Sequence, residues 1–86
     1  MNSDLYQLVV DKYGVDAQLT VVMEELSELL KEVCKLKRNI GDFDHLAEEI
    51  ADVEIMCEQL RYIYDLNFAV DAWKKSKLMR LENRLK

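Results

Sequence analysis

Four carboxylates in this chain form two pairs, each with its members three residues apart. Glu25 pairs with Glu28, and Glu49 pairs with Asp52. Residues three apart lie on the same side of a helix, so each pair would present both acids on one face. If the two faces meet, the four charges repel one another unless a cation neutralises them. A divalent metal ion is the simplest candidate, and an all-oxygen ligand set favours Mg²⁺ or Mn²⁺ over zinc.

The residues at 39–42 break the helical pattern between the two pairs. If two helices run antiparallel from a turn centred there, the numbers of facing residues add to about 80, because both helices rise equally per residue. Glu28 is then level with Asp52, while Glu25 and Glu49 lie one turn to either side. This register predicts that the carboxylates can share an ion. The alternative is two ordinary solvated faces, since glutamate is a good helix former.

The composition favours long helices, because the chain has no proline and only two glycines. The spacing of apolar residues predicts four helices. The first is expected over about residues 3–12 and the second over about 17–38. The third follows the turn and extends to about residue 66, and the fourth follows a break at residue 67.

Residues at the predicted helix ends have the chemistry that caps require. Gly14 can take the left-handed conformation that closes the first helix. Asp16 is expected to cap the second helix, and either Asp42 or Asp44 the third, because a carboxylate accepts from free backbone N–H groups. Asn67 is expected to separate the third helix from the fourth.

The chain is expected to form one domain, residues 1–86. A chain this short buries only about 60% of its unfolded surface, yet half of its residues are hydrophobic. We therefore expect an all-α antiparallel bundle of about four helices whose core is completed by homo-oligomerisation. The residues of the last helix expected to face inward are Val70, Trp73, Leu78, Leu81 and Leu85.

The net charge and the cysteines limit the kinds of partner and the cellular location that fit this chain. The net charge of -5 disfavours nucleic acid as a partner. No stretch is apolar enough to span a membrane, and the amino terminus lacks a signal-peptide pattern. Cys34 and Cys57 have no metal-ligand spacing and are expected to be buried free thiols, which fits a reducing, cytoplasmic location.

The two acidic motifs also resemble those of a known family. The pattern E-E-x-x-E from Glu24 to Glu28, then twenty residues, then E-x-x-D from Glu49 to Asp52, resembles the MazG-like all-α nucleoside triphosphate pyrophosphohydrolases. The sequence around the motifs, with Gln18 ahead of the first one, resembles that of the short single-domain bacterial and phage members. The resemblance covers about residues 14–85.

This resemblance implies a Mg²⁺-dependent helical bundle that assembles as a dimer or a dimer of dimers. It implies hydrolysis of a nucleoside triphosphate, a deoxy or non-standard one, to the monophosphate and pyrophosphate. The metal ligands would be Glu25, Glu28, Glu49 and Asp52.

The resemblance also implies roles for residues around that metal. The segment from Lys77 to Arg80 is similar to the family's carboxy-terminal Lys-Phe-x-Arg element, so both cations would contact the triphosphate. The resemblance also makes Gln18 a substrate contact. A carboxylate not fully engaged with metal could take the proton of the attacking water, and Glu24 and Glu28 are the candidates.

Two other functions fit the same residues. One is a phosphoribosyl-ATP pyrophosphohydrolase, which the motif spacing permits. The other is a non-catalytic helical dimerisation or adaptor module, in which the acids only solvate the surface and the basic residues of the last helix face solvent. His45, at a predicted helix start, is expected to be a surface or capping residue rather than a catalyst.

Overall fold

The computed structural model describes residues 2–86, which form four α-helices and no strand. The all-α prediction is therefore confirmed for the described part of the chain. The helices are α1 (Ser3–Tyr13), α2 (Val15–Lys37), α3 (Phe43–Ile63) and α4 (Asn67–Arg84).

The two longest helices, α2 and α3, form the hairpin around which the rest is placed. The chain folds back on the end of α2, since the Ile40 N–H donates to the Lys35 carbonyl at 3.0 Å. Gly41 then lies against Leu36. A Cβ atom added to Gly41 would lie 2.5 Å from Leu36 Cδ2. Of the two predicted caps, Asp42 is the N-cap of α3, because its side chain accepts from the backbone N–H groups of Asp44 and His45.

The junction of α1 and α2 differs in one respect from the prediction. Gly14 has the expected positive φ, 87°, and its N–H donates to the Val10 carbonyl at 2.8 Å. However, α2 begins at Val15, two residues earlier than expected, so the predicted capping role of Asp16 is wrong. Asp16 lies inside the first turn, where its negative charge interacts favourably with the helix dipole.

Helix α4 is attached loosely. α3 ends at Ile63, about three residues earlier than predicted, and Asp65 takes a positive φ of 52° in the turn. Asn67, expected as a break, is the first residue of α4. Within residues 2–86, α4 contacts no helix except α3, and an ion pair between Arg61 and Asp71, 2.8 Å between Nη1 and Oδ1, joins the two.

The single chain has almost no apolar core. Among the described residues, Tyr6 is the one hydrophobic side chain that is buried. The accessible surface is 6888 Å², whereas a compact monomer of 10.1 kDa exposes about 5300 Å². The radius of gyration is 15.6 Å, against about 12 Å for a compact domain of this length. Much of the apolar surface is therefore uncovered in one chain.

Several residues that were expected inside lie on this uncovered surface. Cys34 and Cys57 are exposed, so the prediction of buried thiols is wrong for the single chain. Trp73 is 60% exposed, and Leu78, Leu81 and Leu85 are exposed as well. The physical reason is the same throughout, because no other helix within residues 2–86 covers these side chains. Among the described residues, no helix has the length and apolar character needed to cross a membrane.

Candidate metal centre

Three carboxylates meet in the middle of the α2–α3 hairpin. Glu25 on α2 and Glu49 and Asp52 on α3 each offer an oxygen atom, and these atoms lie within 4.8 Å of one another. We call these residues the acidic triad. Glu49 and Asp52 share a face of α3 because they are three residues apart, and Glu25 reaches them from the facing helix. All three are partly buried.

The register of the hairpin differs from the predicted one. The numbers of Glu25 and Asp52 add to 77 and those of Glu25 and Glu49 add to 74, so both contacts fall below the predicted sum. The prediction of about 80 assumed a symmetrical turn. The chain instead folds back along the last turn of α2 before α3 begins, with the Ile40 N–H bonded to the Lys35 carbonyl.

The environment of the triad disfavours three free negative charges. Burial, the charge of Asp52 and a hydrogen bond with Glu49 raise the pKa of Glu25 to about 7, from an ordinary value of 4.5. One oxygen of Glu49, Oε2, is buried and has no hydrogen-bond partner among the described residues. A hard divalent cation would neutralise the charge and engage such an oxygen, so the residues present fit Mg²⁺ or Mn²⁺.

Glu28, the fourth predicted ligand, does not join the other three. It lies one turn further along α2 and is exposed. Its direction differs from that of Glu25 by about 60° around the helix axis, because three residues are slightly less than one turn. Glu24, the other candidate for accepting a proton, is also exposed. Both carboxylates therefore face solvent beside the triad.

The predicted substrate contacts lie in different places. Gln18 is on α2 and only 6% exposed. Lys77 and Arg80 are exposed on α4, and Lys77 Nζ lies 5.9 Å from the centroid of the Trp73 ring. No ion pair within residues 2–86 joins either cation to the triad. His45 is exposed at the start of α3, with Nδ1 3.9 Å from Asp42 Oδ2, which agrees with a surface role.

Two further polar residues beside the apolar stripes are buried on the same interface, which the sequence did not predict. Glu32 is 7% exposed and accepts from Lys35 Nζ at 3.4 Å. Gln59 is 6% exposed. A seven-residue spacing would have revealed both, since Glu32 follows Glu25 by seven and Gln59 follows Asp52 by seven. Together these positions form a line that we call the polar seam: Gln18, Glu25 and Glu32 on α2, with Glu49, Asp52 and Gln59 on α3.

Comparison with models of protein families finds none that matches this chain, and comparison with curated proteins and with solved structures finds no significant similarity. The likeness to MazG-like enzymes therefore depends on the two acidic motifs and the residues around them.

Proposed function

We propose that this chain is a Mg²⁺-dependent nucleotide pyrophosphohydrolase, with Mn²⁺ as an alternative metal. Its substrate is a nucleoside triphosphate, deoxy or non-standard, and its products are the monophosphate and pyrophosphate. The observation that carries the proposal is the acidic triad, in which oxygen atoms from two helices converge within 4.8 Å. The resemblance of the paired motifs to MazG-like enzymes supplies the reaction.

Different residues of the chain have different roles in this reaction. Glu25, Glu49 and Asp52 hold the cation, and Glu28, on the same helix as Glu25, is a further ligand or the proton acceptor. The cation, when bound, supplies positive charge to the phosphates and makes water more acidic. Glu24 and Glu28 keep exposed carboxylates, and one of them takes the proton of the attacking water.

Cationic side chains offset the charge of the leaving group. Lys77 and Arg80 lie one turn apart on α4, both exposed, and would contact the triphosphate. Preorganised positive charge near a departing pyrophosphate stabilises the transition state more than the ground state. Gln18, which is neutral, contacts another part of the nucleotide.

The working form is a homo-oligomer, a dimer or a dimer of dimers in cytoplasm. The chain exposes about 1600 Å² more than a compact monomer of its mass. Two copies that buried this excess would hide about 3200 Å², which lies in the range of obligate homodimers. The exposed apolar residues are suited to such contacts, among them Leu26, Leu30 and Val33 on α2 and Trp73 and Leu81 on α4.

The same exposed faces favour one competing function, a non-catalytic dimerisation or adaptor module. Such a module needs apolar surface for a partner but has no use for a metal. The two functions therefore differ in what the triad does rather than in how the chain assembles. Measurements that depend on the triad separate them.

The experiment is a substrate panel. The protein is incubated with ribo-, deoxyribo- and modified nucleoside triphosphates and with phosphoribosyl-ATP, each with Mg²⁺, and pyrophosphate and monophosphate are measured. We expect hydrolysis of at least one triphosphate, lost in Glu49→Gln at unchanged helical content. The matched control is Glu48→Gln, which removes an exposed carboxylate one residue earlier and is expected to remain active.

Two other results would change the assignment. Turnover of phosphoribosyl-ATP alone would move it to the enzyme of that substrate. No turnover on any compound, together with no effect of Mg²⁺ on the melting temperature, would contradict the enzyme and favour the adaptor module.

A further inference from the structure

Helix α4 is held to the rest of the chain near its beginning. Val70 is its one half-buried residue, and every residue from Asp71 to the end of the helix is exposed. Within residues 2–86, α4 contacts α3 alone. The cavity beside Lys77 and Arg80 is lined by α4 residues between 77 and 84 and by no other described helix. The half of α4 that carries these two cations therefore projects from the body of the protein.

An ion pair joins α4 to α3 at the point where this exposed part begins. Arg61 Nη1 donates to Asp71 Oδ1 at 2.8 Å. The Arg61 side chain is 18% exposed and that of Asp71 is 69% exposed, so the arginine is the better-fixed partner. About one turn from the pair on each helix, Cys57 and Lys74 line one cavity, which shows that α4 runs back alongside α3 here.

The ion pair lies at equal distances from the triad and from Arg80. Asp52 precedes Arg61 by nine residues on α3, and Arg80 follows Asp71 by nine residues on α4. Nine residues rise about 13.5 Å along a helix. The separation between Arg80 and the triad is therefore set by the angle that α4 makes with α3 at the pair.

A small change of this angle has a large effect at the cations. Over a length of about 13.5 Å, a rotation of about 10° moves Arg80 by about 2.4 Å. A hydrogen bond from a cation to a phosphate oxygen is about 2.7–2.9 Å long, so such a displacement breaks it. A contact that holds the angle decides whether the cations reach a bound triphosphate.

On the basis of the pyrophosphohydrolase function proposed above, we infer that Arg61 and Asp71 are a positioning pair for the reaction. They act through Lys77 and Arg80 rather than on the substrate, because they hold the angle at which α4 brings these cations to the triphosphate. Solvent screens the charge of the exposed aspartate, so the pair contributes little to stability. Its main effect is on the direction of α4.

The charge of Asp71 alone predicts the opposite effect on catalysis. Removal of this negative charge leaves α4 more basic, which would attract a triphosphate more strongly and raise kcat/KM. Loss of the ion pair misplaces the cations and lowers kcat/KM. The sign of the change therefore distinguishes positioning from the net charge of the helix.

The test measures kcat/KM on the best triphosphate and the melting temperature with and without Mg²⁺. Asp71→Asn and Arg61→Met each remove the ion pair, whereas Arg61→Lys keeps the charge. The matched control is Glu82→Gln, which removes an exposed acid of α4 that is not part of the pair. The double variant Arg61→Met/Asp71→Asn completes a double-mutant cycle. Asp71→Asn is also made in a variant without the two cations, Lys77→Ala/Arg80→Ala.

We expect Asp71→Asn and Arg61→Met each to lower kcat/KM roughly 10-fold, the size of one lost hydrogen bond to a charged group. The double variant should be no worse than either single variant, because both remove one interaction. Arg61→Lys should stay close to the wild type, and Glu82→Gln should leave kcat/KM unchanged or raise it.

Two further results are expected if the pair acts through the cations. In the variant without Lys77 and Arg80, Asp71→Asn should cause no further loss. The gain in melting temperature on addition of Mg²⁺ should be the same in Asp71→Asn as in the wild type, since the triad lies on α2 and α3.

Other results would overturn the inference. An unchanged or higher kcat/KM in Asp71→Asn leaves only the charge of α4, and losses that multiply in the double variant exclude one shared interaction. A further loss in the variant without the cations assigns the pair a purely structural role. These outcomes occur with an active wild-type enzyme, so they differ from failure of the proposed function, in which no triphosphate is hydrolysed.

Discussion

The clearest consequence of the acidic triad concerns the stability of the protein without metal. Glu25 is the member whose ionisation the fold opposes, since its pKa is raised to about 7 by burial, by the charge of Asp52 and by the hydrogen bond with Glu49. Replacing it by glutamine keeps the shape and removes the charge. We therefore predict that Glu25→Gln is more stable than the wild type above pH 7 when no divalent cation is present.

The size of this effect can be estimated from the pKa. A shift from 4.5 to about 7, at about 1.4 kcal/mol per unit, gives an upper bound of about 3.5 kcal/mol. Glu25 is only partly buried, so solvent screening reduces the value, and we expect about 1–2 kcal/mol.

The sign follows from proton binding. The folded protein binds the proton of Glu25 more tightly than the unfolded chain does. This residue therefore stabilises the fold least at high pH, and stability is lost as pH rises from about 4.5 to 7. The advantage of Glu25→Gln should consequently be greatest at pH 8 and absent near pH 4.

The assay is urea unfolding in EDTA at a fixed protein concentration, followed by circular dichroism at pH 8 and pH 4. With an m-value of about 1–2 kcal/mol/M, the expected gain moves the midpoint by roughly 1 M at pH 8. Addition of Mg²⁺ should reverse the order, since a cation held at 100 times its Kd stabilises the wild type by about 2.7 kcal/mol. Glu24→Gln, an exposed neighbour, is the control and should match the wild type in EDTA. If Glu25→Gln is less stable than the wild type at pH 8 in EDTA, or gains as much from Mg²⁺, the reasoning about the triad is refuted.

Three further predictions test the fold, the assembly and the cations. Asp42→Ala should lower the thermal midpoint measured by circular dichroism, because it removes the side chain that accepts from two backbone N–H groups of α3; an unchanged midpoint would contradict the cap. The same hydrogen bonds lower the pKa of Asp42, so the cap should weaken as pH falls through that lowered pKa. Leu81→Asp should reduce the mass measured by light scattering, since it places a charge on the exposed apolar face of α4, and a wild type that is already monomeric would contradict the assembly. Arg80→Ala should raise the KM for the triphosphate while leaving Mg²⁺-dependent stabilisation unchanged, whereas a loss of that stabilisation would place Arg80 in the metal site.

Local features of the chain could be predicted because their causes lie within a few residues. The four helices follow from apolar spacing and the scarcity of glycine, and the start of α3 is limited to a cap at Asp42 or Asp44. The pairing of Glu49 with Asp52 on one face follows from their separation of three residues. Glu25 could be placed near them because one short turn joins the two helices.

The features that sequence reasoning missed depend on contacts between elements. The fold-back at the turn brings Gly41 against Leu36, and the triad contacts fall below the predicted sum of about 80. Glu28, expected level with Asp52, is exposed instead. Gln59 lies beside the apolar stripe of α3, and its burial depends on packing against another helix. The exposure of Cys57 and of the apolar face of α4 reflects surfaces that one chain does not cover, so no pattern within a single chain could assign their partners.

The most direct test of the central claim, that the triad holds a divalent cation, is a crystal structure grown with Mn²⁺ and measured for anomalous scattering. We predict one anomalous peak between Glu25, Glu49 and Asp52, coordinated by an oxygen of each at about 2.0–2.4 Å. Absence of a peak there, with the three side chains turned toward solvent, would contradict the account.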